Sequence, residues 1–162
     1  MLINSPPIDA QRCNCAAIRK ASRRVAQMYD AALAPADLRS TQFAVLAEIE
    51  RRTDTPPTMR ELADALVLDR STLGQNLRPL QRDNLIAIQT GSTDRRRRLV
   101  VLTTKGKSRL GLAKPLWNAA QRQFETRFGE RAAANLRQIL LGIADDRVLP
   151  APDATSGSAY VR

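Results

Sequence analysis

The residues able to do chemistry fall into two polar clusters and one pair of thiols. Asp94-Arg95-Arg96-Arg97-Arg98 sets four guanidiniums in succession behind one carboxylate. Each is a permanent cation with a planar fork of donors, suited to phosphate oxygens and to acceptor edges of bases. Upstream, Ser71, Thr72, Gln75 and Arg78 share one side of a helix when each residue turns by about 100°. None is apolar, and all can form the hydrogen bonds that base edges and phosphates offer. A structural surface helix more often carries Glu and Lys there. The thiols are Cys13 and Cys15, the only cysteines of the chain.

Other chemistries are poorly supported. The chain has no histidine, and two cysteines without histidine partners are too few for a zinc site. No P-loop or Gly-x-Gly-x-x-Gly stretch occurs, so no base, nucleophile or cofactor loop marks an enzyme. Neither cofactor nor metal is expected. Two cysteines also argue against a disulfide framework. The formal charge is +10, and its distribution matters more than its size. Between Arg70 and Arg109 stand ten Lys and Arg against two acids, Asp83 and Asp94. Scattered cations usually make a solvated face, but a clustered block is the footprint of a polyanion partner.

The elements that must position these groups can be read from periodicity. At 162 residues and 43% hydrophobic content the chain predicts one domain with a real core. Its apolar runs are too short to cross a bilayer and its start lacks the pattern of a secretory signal, so a cytoplasmic protein is expected. Residues 1–10 and 148–162 read as flexible ends. A helix is expected over Cys13 to Leu33 on Ile18, Val25, Met28, Tyr29 and Leu33, closed by Pro35. A second starts near Ser40 or Thr41 and buries Phe43, Leu46, Ala47 and Ile49. The loop Thr53 to Pro57 follows. Thr58 and Glu61 form a capping box that opens a short helix burying Leu62, Ala65 and Leu66. Asp69 then caps a helix over Arg70–Arg82, with Leu73, Leu77 and Leu80 inward. Two short helices joined so tightly form a helix-turn-helix. Asn84 is placed where a left-handed residue ends a helix. Strands over Leu85–Gln89 and Arg98–Leu102 flank the turn Gly91–Asp94, which makes a winged helix with an arginine-rich wing. Thr103 or Thr104 caps a long helix to about Phe128, carrying Leu110, Ala113, Leu116, Trp117, Ala120 and Phe124, with a kink expected at Pro115. A last helix, about Glu130 to Asp146, presents Leu136, Ile139, Leu140 and Ile143. The first helix and the last two are more apolar than one small winged helix can cover, and a second copy of the chain is the simplest partner.

Over roughly residues 12–146 the chain resembles the MarR family of bacterial regulators. The most specific match is Asp94-x-Arg96 followed by Leu102-Thr103 and Gly106, the family's wing signature. Arg70-Ser71-Thr72-Leu73, Leu77-Arg78-Pro79-Leu80 and Asn84-Leu85-Ile86 also look like family sequence, with Asn84 where glycine is usual. The resemblance implies a mainly α fold with a small β-hairpin wing. Residues 38–103 would be the winged helix-turn-helix, and 11–34 with 104–147 the dimerisation helices. It implies a homodimer on a pseudo-palindromic double-stranded operator, with recognition helices in major grooves and wing arginines in minor grooves. Arg96 would enter the minor groove braced by Asp94, where a narrow A·T groove focuses negative potential. Arg95, Arg97 and Arg98 would meet phosphates or water. For Asp94 and Arg96 the alternative is a simple turn-stabilising ion pair. Repression, too, comes from the resemblance.

Two triggers stay open. The organic-hydroperoxide-sensing branch of the family carries a reactive cysteine in its first helix, and the stretch from Cys15 to Arg23 resembles that segment. Cys15 near a helix N-terminus, with Arg19 one turn on, is placed where a thiolate is favoured. The tyrosine expected near Arg19 is missing, and both thiols can equally be small half-buried side chains. On a helix Cys13 and Cys15 would point about 200° apart, too far to pair within one chain. The other family trigger is a small aromatic acid between the dimer helices and the winged helix, for which Arg19, Arg23, Arg24, Tyr29 and Trp117 are candidate lining. Each also has a purely structural reading. The rival to operator recognition is a sequence-tolerant architectural nucleic-acid-binding protein, against which the neutral polar face of Ser71, Thr72 and Gln75 speaks.

Overall fold

The turn chemistry read from the sequence sets most boundaries in the computed structural model, which describes residues 12–52, 54–91 and 97–145. The expected flexible ends, and Asp94, Arg95 and Arg96, lie outside the described residues. Helix α1 (Asn14–Leu33) starts after Cys13, whose Sγ accepts the Ala16 amide at 3.4 Å. Cys13 is therefore a cap with extended backbone and stands before the helix, so the helical angle between the two thiols does not apply to it. Pro35 lies in a 3-10 turn (Ala34–Ala36) that ends on left-handed Asp37. In α2 (Ser40–Arg51) the Ser40 amide donates to Asp30 Oδ1 at 2.6 Å, fastening its first turn to α1.

The capping box opens α3 (Met59–Ala65) as expected: the Glu61 amide donates to Thr58 Oγ1 at 3.2 Å, and the Thr58 amide to Glu61 Oε2 at 2.7 Å. Each capping bond satisfies an amide that lacks a helical partner. The turn to α4 (Arg70–Arg82) passes through Val67 at φ 51°, with its amide on the Asp64 carbonyl and that of Leu68 on the Ala63 carbonyl. That is the Schellman pattern, held here by a β-branched residue in a backbone region it avoids. α4 ends the same way on Asn84 at φ 57°, with the Leu85 amide bonded to the Leu80 carbonyl at 2.8 Å.

The wing is the antiparallel pair β1 (Ile86–Thr90) and β2 (Arg98–Leu102), in register from Ile86 opposite Leu102 to Thr90 opposite Arg98. Its other edge is used as well, which the sequence reading missed. The Val100 amide donates to the Pro57 carbonyl at 2.8 Å, and Thr58 bridges Leu99. The stretch expected to be plain loop thus ends as a strand-like rail along β2. Thr103 caps α5 (Thr104–Phe128): its Oγ1 accepts from the Gly106 amide at 2.9 Å and donates to the Asn84 carbonyl at 2.6 Å. α5 runs unbroken through Pro115. α6 (Glu130–Ile143) stops short of the expected Asp146.

Residues up to Ala120 form one compact unit and those from Gln121 a second. The core of the first holds Leu33, Leu46, Leu62, Leu73, Leu77, Leu80, Val100 and Leu110, all essentially without exposure. One expected core position is corrected and one was missed. Ala65 is exposed and Ala63 buried, because Leu62, Leu66 and Ala63 span an arc of about 100° that leaves Ala65 outside. Ala47 and Leu66 are half-buried against the core, and Val45, not expected there, is buried, since α2 packs against α1, α3, α4 and β2 and so hides a broad face. In the second unit, Phe124 stacks on Phe128 at 5.4 Å and Arg137 pairs with Glu125 at 3.2 Å. Phe128, Ile139, Leu140, Leu141 and Ile143 stay exposed there. No helix among the described residues is long and apolar enough to cross a membrane.

Candidate nucleic-acid interface

The surface with the chemistry of a polyanion partner is built on α4 and the base of the wing. Leu73, Leu77 and Leu80 anchor one side of α4 in the core. Ser71, Gln75 and Arg78 then stand exposed on the other. Thr72, expected with them, is half-buried and engaged: Asp69 Oδ1 accepts its amide at 2.9 Å and Oδ2 its hydroxyl at 2.5 Å. Its hydroxyl keeps only acceptor capacity toward a partner. The Thr72 hydroxyl, then its amide, hold the Asp69 carboxyl below its ordinary value of 3.8.

At the wing, the Gly91 amide closes on the Arg97 carbonyl at 2.8 Å. The Arg97 guanidinium lies 3.6 Å from Glu61, and Arg98 is exposed on β2. Glu61 thereby serves twice, capping α3 and meeting the wing. Its carboxyl is held below the ordinary 4.5, first by the Thr58 amide, then by the Thr58 hydroxyl and with a smaller share from Arg97. Sequence reasoning found the capping box but not this tie, because nothing in the spacing of 61 and 97 signals that the rail before α3 runs beside β2. An open cleft of about 570 Å³ separates wing base from helices; Arg60 and Arg70, neither expected from the sequence as a binding residue, line it with Arg97, Arg98 and the acids Asp64 and Asp69.

The residues expected around a small-ligand site are only partly brought together. Tyr29 and Trp117 meet with ring centroids 6.5 Å apart. Phe43, expected only as core, stacks on Trp117 at 5.8 Å. Arg19 and Arg23 are exposed on α1, and Arg24 donates to Gln27. Cys15 is exposed in the first turn of α1, and both cysteines are free thiols. No group of three or more His, Cys, Asp or Glu among the described residues could hold a metal.

Residues 36–97, which span the helix-turn-helix and the start of the wing, match the family model described as MarR family. The M. tuberculosis transcriptional regulator MosR, in complex with DNA, is 36% identical with a TM-score of 0.67, covering 82% of this chain and 98% of that one. The chain belongs to the MarR family. The MarR fold extends beyond that pair. CouR of Rhodococcus jostii RHA1, bound to p-coumaroyl-CoA, shares it at 21% identity and TM-score 0.70, over 85% of this chain and 96% of that one. Bordetella bronchiseptica BpsR, whose DNA binding is regulated by 6-hydroxynicotinic acid, shares it at 19% and 0.73, over 87% and 99%. No curated protein sequence matches the chain. MosR is a transcriptional regulator and CouR a transcriptional repressor.

Proposed function

We propose that the protein is a cytoplasmic, homodimeric repressor that binds a pseudo-palindromic double-stranded operator, and that it is not an enzyme. The observation that carries the reading is α4: one face fixed by three buried leucines, the other offering Ser71, Gln75 and Arg78. A helix held this firmly presents its polar side chains in a fixed geometry, which base readout in a major groove requires. The 36% identity to MosR, described in complex with DNA, supports the same partner. Residues 38–103 form the DNA-binding part, while 11–34 and 104–147 supply the dimer helices. Arg95, Arg97 and Arg98 contact phosphates, and Arg96, braced by Asp94, enters the minor groove.

Release comes from an effector. CouR and BpsR, with their CoA ester and aromatic acid, support a small ligand, with Arg19, Arg23, Tyr29 and Trp117 as its lining. The exposure of Cys15 supports a second route. Its thiolate would attack the O–O bond of an organic hydroperoxide, gaining one oxygen as sulfenate and releasing the alcohol.

Arg96→Ala tests the DNA reading at the wing. It should weaken binding to the DNA upstream of the protein's own gene by about 1–3 kcal/mol in an anisotropy titration. Unchanged affinity would remove Arg96 from the mechanism.

A further inference from the structure

The cleft between the wing base and the helix-turn-helix has a composition that neither the base-reading face nor the wing tip explains. Arg60 and Arg70 enter it from the first turns of α3 and α4, Arg97 and Arg98 from the wing. Four exposed guanidiniums around one opening concentrate positive charge there, which favours an anionic occupant. The acids nearby fill that role only in part. Asp69 is turned onto the amide and hydroxyl of Thr72 as a helix cap, and Glu61 caps α3 through Thr58 while meeting Arg97 alone of the four, at 3.6 Å. Asp64 reaches Arg60 only at 3.8 Å, with both side chains largely exposed, a pair of little energetic weight. Among the described residues neither Arg70 nor Arg98 has an ion-pair partner.

The floor is different in kind. Met59, Ala63 and Leu68 make it apolar. A cationic rim over an apolar floor suits a chain that alternates anionic and apolar groups. A DNA strand does so, with a phosphate then a deoxyribose at each step. The geometry points to this cleft as a seat for the sugar–phosphate backbone where a strand passes from the recognition helix to the wing. Arg60 and Arg70 are then phosphate ligands additional to the wing arginines. This rests on the DNA-binding reading above. It adds that affinity, as distinct from base choice, is set partly by two residues outside the polar face of α4 and outside the wing tip.

The test is a salt-series anisotropy titration of Arg60→Gln, Arg70→Gln and their double variant. Each is run against the duplex upstream of the protein's own gene and against a random duplex of equal length. Each lost phosphate contact should reduce the slope of log K against log salt by about 0.9, so a single variant, which loses one contact in each protomer of the dimer, should lose about 1.8 on both duplexes alike. The double variant should lose nearly twice that. Arg60→Lys and Arg70→Lys should keep the wild-type slope, because lysine retains the charge. Arg131→Gln, an equal charge loss on α6, should leave it unchanged. A thermal unfolding midpoint matching wild type shows that the variants are folded.

Wild-type slopes in both glutamine variants, with the unaltered protein binding DNA, would overturn the cleft as a backbone seat. An aromatic carboxylate that competes with DNA in wild type but not in the glutamine variants, which keep the wild-type slope, would also overturn it and make the cleft an effector pocket. No DNA binding by the unaltered protein would overturn the DNA reading and the cleft with it.

Discussion

At the residue scale, two carboxylates fix the starts of the two helices of the helix-turn-helix by capping them. Glu61 and Asp69 both titrate below their ordinary values because hydrogen bonds from Thr58 and Thr72 favour the charged form. A carboxyl depressed in the folded state stabilises it above the unfolded pKa, and that contribution is lost as pH falls through the folded pKa. Thermal stability should therefore decline as pH drops from about 5 to below 4, through their depressed folded-state values. Asp69→Asn keeps a capping oxygen but cannot titrate. Its melting temperature should fall less than wild type over the same interval, as differential scanning calorimetry can show. An identical pH profile would mean that the Asp69 cap carries no charge-dependent stability. These caps were legible in the sequence because a capping box and an N-cap are local. The tie from Arg97 to Glu61 was not, since it depends on two segments meeting in space.

At the element scale, one glycine decides how α5 leaves the wing. A Cβ at Gly106 would overlap the Leu85 carbonyl oxygen, backbone that also accepts the Thr103 amide. Neither side can yield without loosening the end of α4, β1 and the start of α5 together. Gly106→Ala should lower stability by about 2 kcal/mol or more, read as a drop in urea midpoint. An unchanged midpoint would show that the junction relaxes freely. The sequence placed Gly106 in a signature without giving its reason, which is a distance between two backbones. Helix phase was readable where one face alone is buried, as in α4, whose bounds and leucines were found. It failed at Val45, because α2 is covered from several directions. It failed at Ala65 too, where α3 is too short for period alone to fix the inner arc. Val67 gave no signal of its left-handed backbone, because its type argues against that conformation.

At the scale of the whole molecule, the second unit leaves a stripe of Ile139, Leu140 and Ile143 on α6 in water, with Phe128 and Leu141 nearby in sequence also exposed. So much apolar surface on one short segment suits a partner's cover, and we propose a second copy of the chain as that partner. Leu140→Glu should convert the dimer to monomer in sedimentation velocity and, by halving the number of groove contacts per complex, weaken operator binding. A dimer that survives it would move the interface elsewhere. The excess of apolar surface on the last helix was legible from periodicity, but that Leu136 is half-buried while Ile139, Leu140 and Ile143 stay exposed needed the fold. The central claim is that a fixed polar face on α4 reads sequence. The most direct measurement is the ratio of affinities, at one physiological salt concentration, for the duplex upstream of the protein's own gene and for a random duplex of equal length. A repressor of this design should prefer the upstream duplex by at least about 10³-fold, with Gln75→Ala removing a factor of about ten or more of that preference. Equal affinity for the two duplexes would contradict the account and leave a protein that clamps phosphates without reading bases.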